Sequence, residues 1–202
     1  YIKNIDVLKE RSIASIGGSE NFKSNIKNSY FGNWERRGKY LIGSLHSKDK
    51  ISKGFLVVHL RMTGQFKLLE EQIVPCKHTR VRFMEKRGKE LRFIDIRNFG
   101  QMWFVPSTKS VPEVVSGIKR LGPEPFSTDF NSHYLQEYLK NKTRTIKSAL
   151  LDQETVAGVG NIYADETLFD AGINPKTKSR NLTSSEVKKL CDSLVKILKI
   201  SI

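Results

Sequence analysis

The chain has 202 residues, 38% hydrophobic and 28% charged, the balance of a folded soluble protein able to bury a core in one or two domains. Thirty-five basic residues against twenty-one acidic ones leave a net charge of +14, a field that favours polyanions and above all nucleic acid. No apolar run approaches the roughly 18–20 residues of a membrane span, no signal-peptide pattern opens the chain, and Cys76 and Cys191 form no CxxC pair. Membrane-span, metal-ribbon and disulfide-scaffold classes are thereby set aside, and an intracellular location is the default.

In chain order, Tyr1-Ile2-Lys3 leads directly into strand-like sequence, and RRGKYLI gives a strand opening just after a lysine. FLVVHLRM alternates, with Phe55, Val57, His59 and Arg61 on one face and Leu56, Val58, Leu60 and Met62 on the other. TRVRFME alternates Val81 and Phe83 with charged or polar neighbours, and ELRFIDI and QMWFV are β-type runs separated by a short RNFG turn. Gly38, Gly54, Gly64, Gly88 and Gly100 punctuate these runs at hairpin-like spacing, which predicts an antiparallel sandwich or barrel.

After GPEPFST, which reads as a linker, the period changes to that of helices. DFNSHYLQEYLK sets Phe130, Tyr134, Leu135, Tyr138 and Leu139 on one stripe, with Ser127 or Thr128 as the cap. TRTIKSALLDQ, NIYADETLFDAG and a terminal helix follow, the middle one closed by Gly172 and stopped by Pro175. The domains are therefore a β-rich one over residues 1–125 and a helical one over 126–202. The terminal stripe of Val187, Leu190, Leu194, Ile197 and Leu198 ends without a terminator, and no initiator methionine is present. Both features predict a piece of a longer protein.

The segment TVAGVGNIYADE carries a Gly-x-Gly at Gly158 and Gly160. A dinucleotide fingerprint fails here, because the motif follows a helix and Tyr163 stands where the third glycine belongs. Two readings remain. Either the glycines supply positive φ for a plain turn, with Asn161 capping the next helix, or the same turn presents backbone N–H groups and a positive dipole end to a phosphate. Asn161 and Tyr163 add an amide and a hydroxyl donor to the second reading.

TIKSALLDQETVAGVGNIYADETLFDAGINP closely resembles the helix–two-turn–helix segment of bacterial formamidopyrimidine-DNA glycosylases, and the likeness extends back through RLGPEP, IDIRNFG, VHLRMTGQF and RRGKYLI. The resemblance implies an α+β protein, an antiparallel β-sandwich followed by a helix–two-turn–helix domain. It implies a monomer in the bacterial cytoplasm, at the nucleoid, with no membrane role. The partner would be double-stranded DNA containing oxidised purines or abasic sites.

Residue by residue, the resemblance makes Lys39, His59 and Asn161 contacts to DNA phosphates, with Gly158 and Gly160 forming the gripping turn, and Tyr163 is added to that set as the hydroxyl donor of the turn. Taken alone, Lys39 reads as a solvated lysine and His59 as a packed core histidine. Met62, Arg97 and Phe99 would fill the space left when a damaged nucleotide rotates out, with Arg97 facing the orphaned base. Alone, Met62 reads as core packing, whereas an aromatic at a tight RNFG tip already resembles a wedge. That trio points to the branch acting on formamidopyrimidines and 8-oxoguanine. Lys147 sits in the family motif too, but a lysine on a helix of a basic protein is commonly just solvated, and it is left out of the set.

The family's nucleophile is an N-terminal proline amine, followed by glutamate. Residue 1 is tyrosine here, and no Pro-Glu occurs before Leu45. No catalytic residue is therefore expected in this chain, which should bind DNA without cleaving it. The family's zinc finger, with its paired cysteines, is likewise expected outside these residues, so no metal is assigned within them. The alternatives are a non-catalytic DNA-binding protein of this fold and a ribosome-associated basic protein. The Met62, Arg97 and Phe99 set weighs against both, since neither needs a void-filling wedge.

Overall fold

The computed structural model describes residues 1–201. The chain forms two compact units, the first Tyr1–Lys119 and the second from Arg120 onward. The GPEPFST stretch therefore lies inside the second unit.

The first unit contains eight strands: β1 (Ile2–Val7), β2 (Tyr30–Arg37), β3 (Tyr40–His46), β4 (Ser52–His59), β5 (Gly64–Leu69), β6 (Thr79–Glu85), β7 (Glu90–Asp95) and β8 (Gln101–Pro106). They form two four-stranded antiparallel sheets, ordered β1-β6-β7-β5 and β2-β3-β4-β8. Alternation along the strands builds the core between them. Ile5, Val81, Phe83 and Phe93 come from one sheet, and Leu45, Leu56, Val58, Met102 and Phe104 from the other. Each such side chain contributes roughly 1.5–3 kcal/mol by leaving water. This is the sandwich that the β-type runs imply.

Three features of this unit depart from the sequence reading. A helix, α1 (Gly18–Ile26), stands in the strand-rich half and buries Phe22 and Ile26 in the same core. Its apolar positions recur four residues apart, the helical rather than the strand period. Gly54 is not a turn glycine. It lies inside β4 at a register shift, with φ +124°, and a Cβ there would fall 1.9 Å from the Val105 carbonyl oxygen. Third, the charged neighbours of Val81 and Phe83 do not mark a solvent face, since Arg80 is buried and Arg82 is drawn into an ion pair. Glu90 is fully buried between Arg92, at 2.6 Å, and Arg82, at 2.8 Å. Burial alone would raise its pKa, but the two guanidinium hydrogen bonds hold it at about 2.

Two short helices, α2 (Val111–Val114) and α3 (Ser116–Lys119), close the first unit. The second unit contains α4 (Ser132–Leu139), α5 (Ile146–Leu151), α6 (Asn161–Ala171) and α7 (Ser184–Ile200). Leu135, Leu139, Ile146, Leu150, Leu168, Leu190 and Leu194 meet in one apolar cluster. The cap of α4 is Asn131, which accepts the Tyr134 N–H at 2.9 Å, while the Ser127 hydroxyl donates to the Glu124 carbonyl. Phe130 is buried ahead of the helix rather than within it. Thr145 caps α5, and Thr183 with Glu186 forms a capping box on α7. No helix among the described residues is long and apolar enough to cross a membrane.

Candidate nucleic-acid interface

Lys39 occupies the tight turn between β2 and β3, beside Gly38 at φ +55°. The next residue, Tyr40, pairs in register with His59 at the end of β4, and its ring stands edge-on to the imidazole at 4.7 Å. Lys39 and His59 are thus brought together by strand pairing. Beyond His59 the alternation stops. Arg61 has φ +58°, a left-handed conformation that breaks the strand and turns Met62 outward, leaving it 75% exposed. Neither residue therefore continues the strand faces, and core packing of Met62 is excluded.

His59 is buried, as a packed histidine would be, but its surroundings are cationic. Its Nδ1 accepts the Arg61 backbone N–H at 3.1 Å, so the neutral ring carries its proton on Nε2. Burial, then the charges of Arg61 and Lys39, push its pKa down to about 4. Partial burial and Arg61 also lower the pKa of Lys39. Cations that depress one another are relieved by an anion, and a neutral Nε2–H beside them is a ready donor to it.

Met62, Arg97 and Phe99 also meet. The Arg97 Nη1 lies 2.9 Å from the Met62 sulfur, and its guanidinium carbon is 5.1 Å from the Phe99 ring centre. A second arginine, Arg11, approaches the same ring at 5.4 Å, within cation–π range. Phe99 nevertheless remains 40% exposed. Asn98, between Arg97 and Phe99, has φ +55°, and its side chain accepts the Ser12 hydroxyl at 3.3 Å. Left-handed conformations at non-glycine residues are costly and collect where a structure must aim a side chain. Arg61 and Asn98 place two of them in the loops that carry this trio.

The glycine turn follows α5 and opens α6. Gly158 does take positive φ, at +88°. Gly160 does not; its φ −109° and ψ 178° are ordinary extended backbone, and it is Gly160 rather than Asn161 that occupies the cap position of α6. Asn161 is the first helical residue and is exposed, with Tyr163 half-buried two residues on. Gln153 staples the turn by accepting the Gly158 N–H and donating to the carbonyls of Leu151 and Val159, each at 3.0 Å. α4, α5 and α7 each receive a side-chain cap, whereas α6 receives none and has no acidic residue in its first turn. The Gly160 cap thus supplies no side-chain acceptor to the first amides of α6, and no acidic side chain in its first turn offsets the positive dipole end. A Cβ on Gly160 would meet nothing within 4 Å, so packing within the chain does not require glycine there.

Lys147 bonds to Asp165 of α6 at 2.7 Å, and so links α5 to α6 rather than standing solvated. No group of three or more potential metal-binding side chains occurs among the described residues. Cys76 is exposed in the first unit and Cys191 buried in the second, so these residues do not fit the zinc finger associated with the resemblance.

The sequence reading missed Arg61, Arg11, Thr63 and Asp95. Asp95 carried a signal. Its carboxylate accepts the N–H of Arg97 two residues on, the Asx-turn that an aspartate ahead of a turn commonly makes.

Comparisons with known proteins agree over both units. Residues 1–102 match the formamidopyrimidine-DNA glycosylase N-terminal domain, and residues 121–202 match the formamidopyrimidine-DNA glycosylase H2TH domain. A formamidopyrimidine-DNA glycosylase of Prochlorococcus marinus (strain NATL1A) is 81% identical over 202 residues, covering all of this chain and 72% of the relative. The enzyme of Parasynechococcus marenigrum (strain WH8102) is 50% identical over 201 residues, covering all of this chain and 71% of that protein. Among solved structures, Lactococcus lactis formamidopyrimidine-DNA glycosylase bound to DNA containing an abasic site superposes with TM-score 0.89 at 32% identity, covering all of this chain and 74% of that one. The same enzyme with Fapy-dG DNA gives the same score and identity, covering 72% of that chain. The chain belongs to the formamidopyrimidine-DNA glycosylase family.

Proposed function

We propose that the protein is a base-excision repair enzyme, a DNA glycosylase and abasic-site lyase that removes formamidopyrimidines and 8-oxoguanine from duplex DNA. The observation that carries this reading is the exposed contact of Met62, Arg97 and Phe99 at the tips of two neighbouring loops. Exposed apolar side chains are costly in water, and base stacking would repay them at roughly 1–3 kcal/mol per base. A plain DNA- or ribosome-binding domain has no use for such a group.

Lys39, His59, Asn161 and Tyr163 contact phosphates, and Gly160 lets a phosphate approach the first turn of α6. These contacts fix register without reading sequence, which suits an enzyme that must scan any duplex. The wedge then occupies the space of the rotated nucleotide, with Arg97 facing the orphaned cytosine, and C1′ becomes accessible.

The nucleophile is an amine that belongs to none of the phosphate-contacting and wedge residues named above. Its nitrogen bonds to C1′ as the damaged base departs with the amine proton, and the sugar ring then opens, O4′ taking a proton from solvent, to leave a positively charged imine. Borohydride delivers hydride to that imine and makes the link permanent. The test is therefore borohydride trapping on a duplex with 8-oxoguanine opposite cytosine, using the 202-residue chain and the protein from its complete coding sequence. An adduct with the complete protein alone is expected. No adduct with either sinks the enzymatic reading, and an adduct with the 202-residue chain means an internal amine, with Lys39 and Lys147 the first to replace.

A further inference from the structure

Met62 and the Arg97–Phe99 pair stand on separate loops, one between β4 and β5 and the other between β7 and β8. Side-chain contact among the three is a weak way to hold them, because Met62 is 75% exposed and Phe99 40%. The rigid connection lies underneath. Asp95 is fully buried at the end of β7, where it pairs in register with Gly64 at the start of β5. One of its carboxylate oxygens accepts the Thr63 hydroxyl and the Arg97 backbone N–H, the latter at 3.2 Å. Its other oxygen accepts the Gly100 N–H at 2.8 Å. The Thr63 hydroxyl also accepts from Arg97 N–H, at 3.1 Å, so it links the two loops in both directions.

We propose that Asp95 and Thr63 are positioning residues that clasp the two loops together, so that Met62, Arg97 and Phe99 enter a duplex as one preformed wedge. Asp95 is itself fixed from behind. The buried Arg80 donates to its carbonyl at 2.7 Å and to that of Ile96 at 3.3 Å. Burial alone would raise the Asp95 pKa, yet the Thr63 hydroxyl and the N–H groups of Gly100, Phe99 and Arg97 hold it below the ordinary carboxylate value. The carboxylate is thus charged at neutral pH, and each of those hydrogen bonds is charge-assisted. Without the clasp the loops would have to be ordered by the DNA itself, and the ordering would oppose stacking only where a void exists to be filled.

This inference rests on the wedge reading of the trio, and the experiment keeps the two apart. Thr63→Val, Thr63→Ser and Phe99→Ala are made in the protein from its complete coding sequence. Affinity is measured for a duplex carrying a tetrahydrofuran abasic analogue opposite cytosine and for the same duplex intact. Valine keeps the shape of threonine but removes the hydroxyl, whereas serine keeps the hydroxyl. The expected result for Thr63→Val is a loss of about tenfold in the abasic-to-intact affinity ratio, with intact-duplex affinity within about twofold of the parent. Thr63→Ser should keep the parental ratio. An unchanged ratio in Thr63→Val alongside a reduced one in Phe99→Ala overturns the clasp and leaves the wedge standing. Equal losses on both duplexes in Thr63→Val also overturn the clasp, since they report general destabilisation. An unchanged ratio in Phe99→Ala overturns wedge and clasp together.

Discussion

Gly158 and Gly160 are two residues apart, and replacing each by alanine separates two reasons for keeping a glycine. At Gly160 the backbone is extended, with φ −109° and ψ 178°, and the added methyl meets nothing within 4 Å. Alanine is a poorer helix cap than glycine, but it also narrows the unfolded ensemble, a gain of about 0.4–1 kcal/mol that offsets much of the loss. The net change in stability should stay within about 1 kcal/mol. At Gly158, φ is +88°, and alanine should cost about 1–2 kcal/mol. For a unit of this size that lowers the melting temperature by about 4–8 °C per kcal/mol. Binding should follow the opposite order. A methyl at Gly160 projects into the space a phosphate would use at the uncapped first turn of α6, and losing charge-assisted hydrogen bonds of about 1.5–3 kcal/mol weakens binding about tenfold to a hundredfold. Thermal unfolding and fluorescence anisotropy on a labelled duplex, at one salt concentration, measure both quantities on each variant. Parental affinity in Gly160→Ala would refute the reasoning, because the open space in front of this residue would then face only water.

Three further predictions concern Lys39 and His59 on the sandwich and Asn161 on α6. Lys39→Ala should flatten the plot of log affinity against log salt by about one unit, because one fewer phosphate is neutralised. Asn161→Ala removes a neutral donor and should weaken binding to a similar degree at low and high salt. An unchanged slope for Lys39→Ala removes that residue from the phosphate contacts. His59 makes stability pH-dependent, since its folded pKa of about 4 lies below the ordinary value of 6.5. Between those values the unfolded chain binds more protons, so stability is complete above about pH 6.5 and falls as pH drops towards 4. The urea midpoint of His59→Gln should decline less over that interval than the parent's. Parallel curves would mean that His59 is not held neutral.

The sequence by itself determined the class of fold and, through the resemblance, which residues to propose for the site. Period-two runs such as TRVRFME and period-3.6 stripes such as that of the last helix record which side chains leave water. That information is local, because burial of one face follows from the repeat of a single strand or helix. Motifs such as RNFG and GVGN carried the resemblance for the same reason, since a tight turn restricts its residues at fixed spacing. GGSENFKSNI held a helical repeat, but the strand-rich context around it hid α1.

Tertiary structure decided what depends on groups distant in sequence. Asp95 and Thr63 are 32 residues apart, and only the pairing of β5 with β7 brings them together. The pKa of His59 is lowered first by burial and then by Arg61 and by Lys39, which reaches it through the pairing of β3 with β4. Likewise, a strand pattern cannot show that Arg61 leaves the strand in a left-handed turn and turns Met62 from core to solvent. Nor can a Gly-x-Gly show which glycine needs its conformation and which leaves room in front of it. Those distinctions depend on three-dimensional neighbours, because hydrogen bonding, electrostatic fields and free volume act through space and not along the chain.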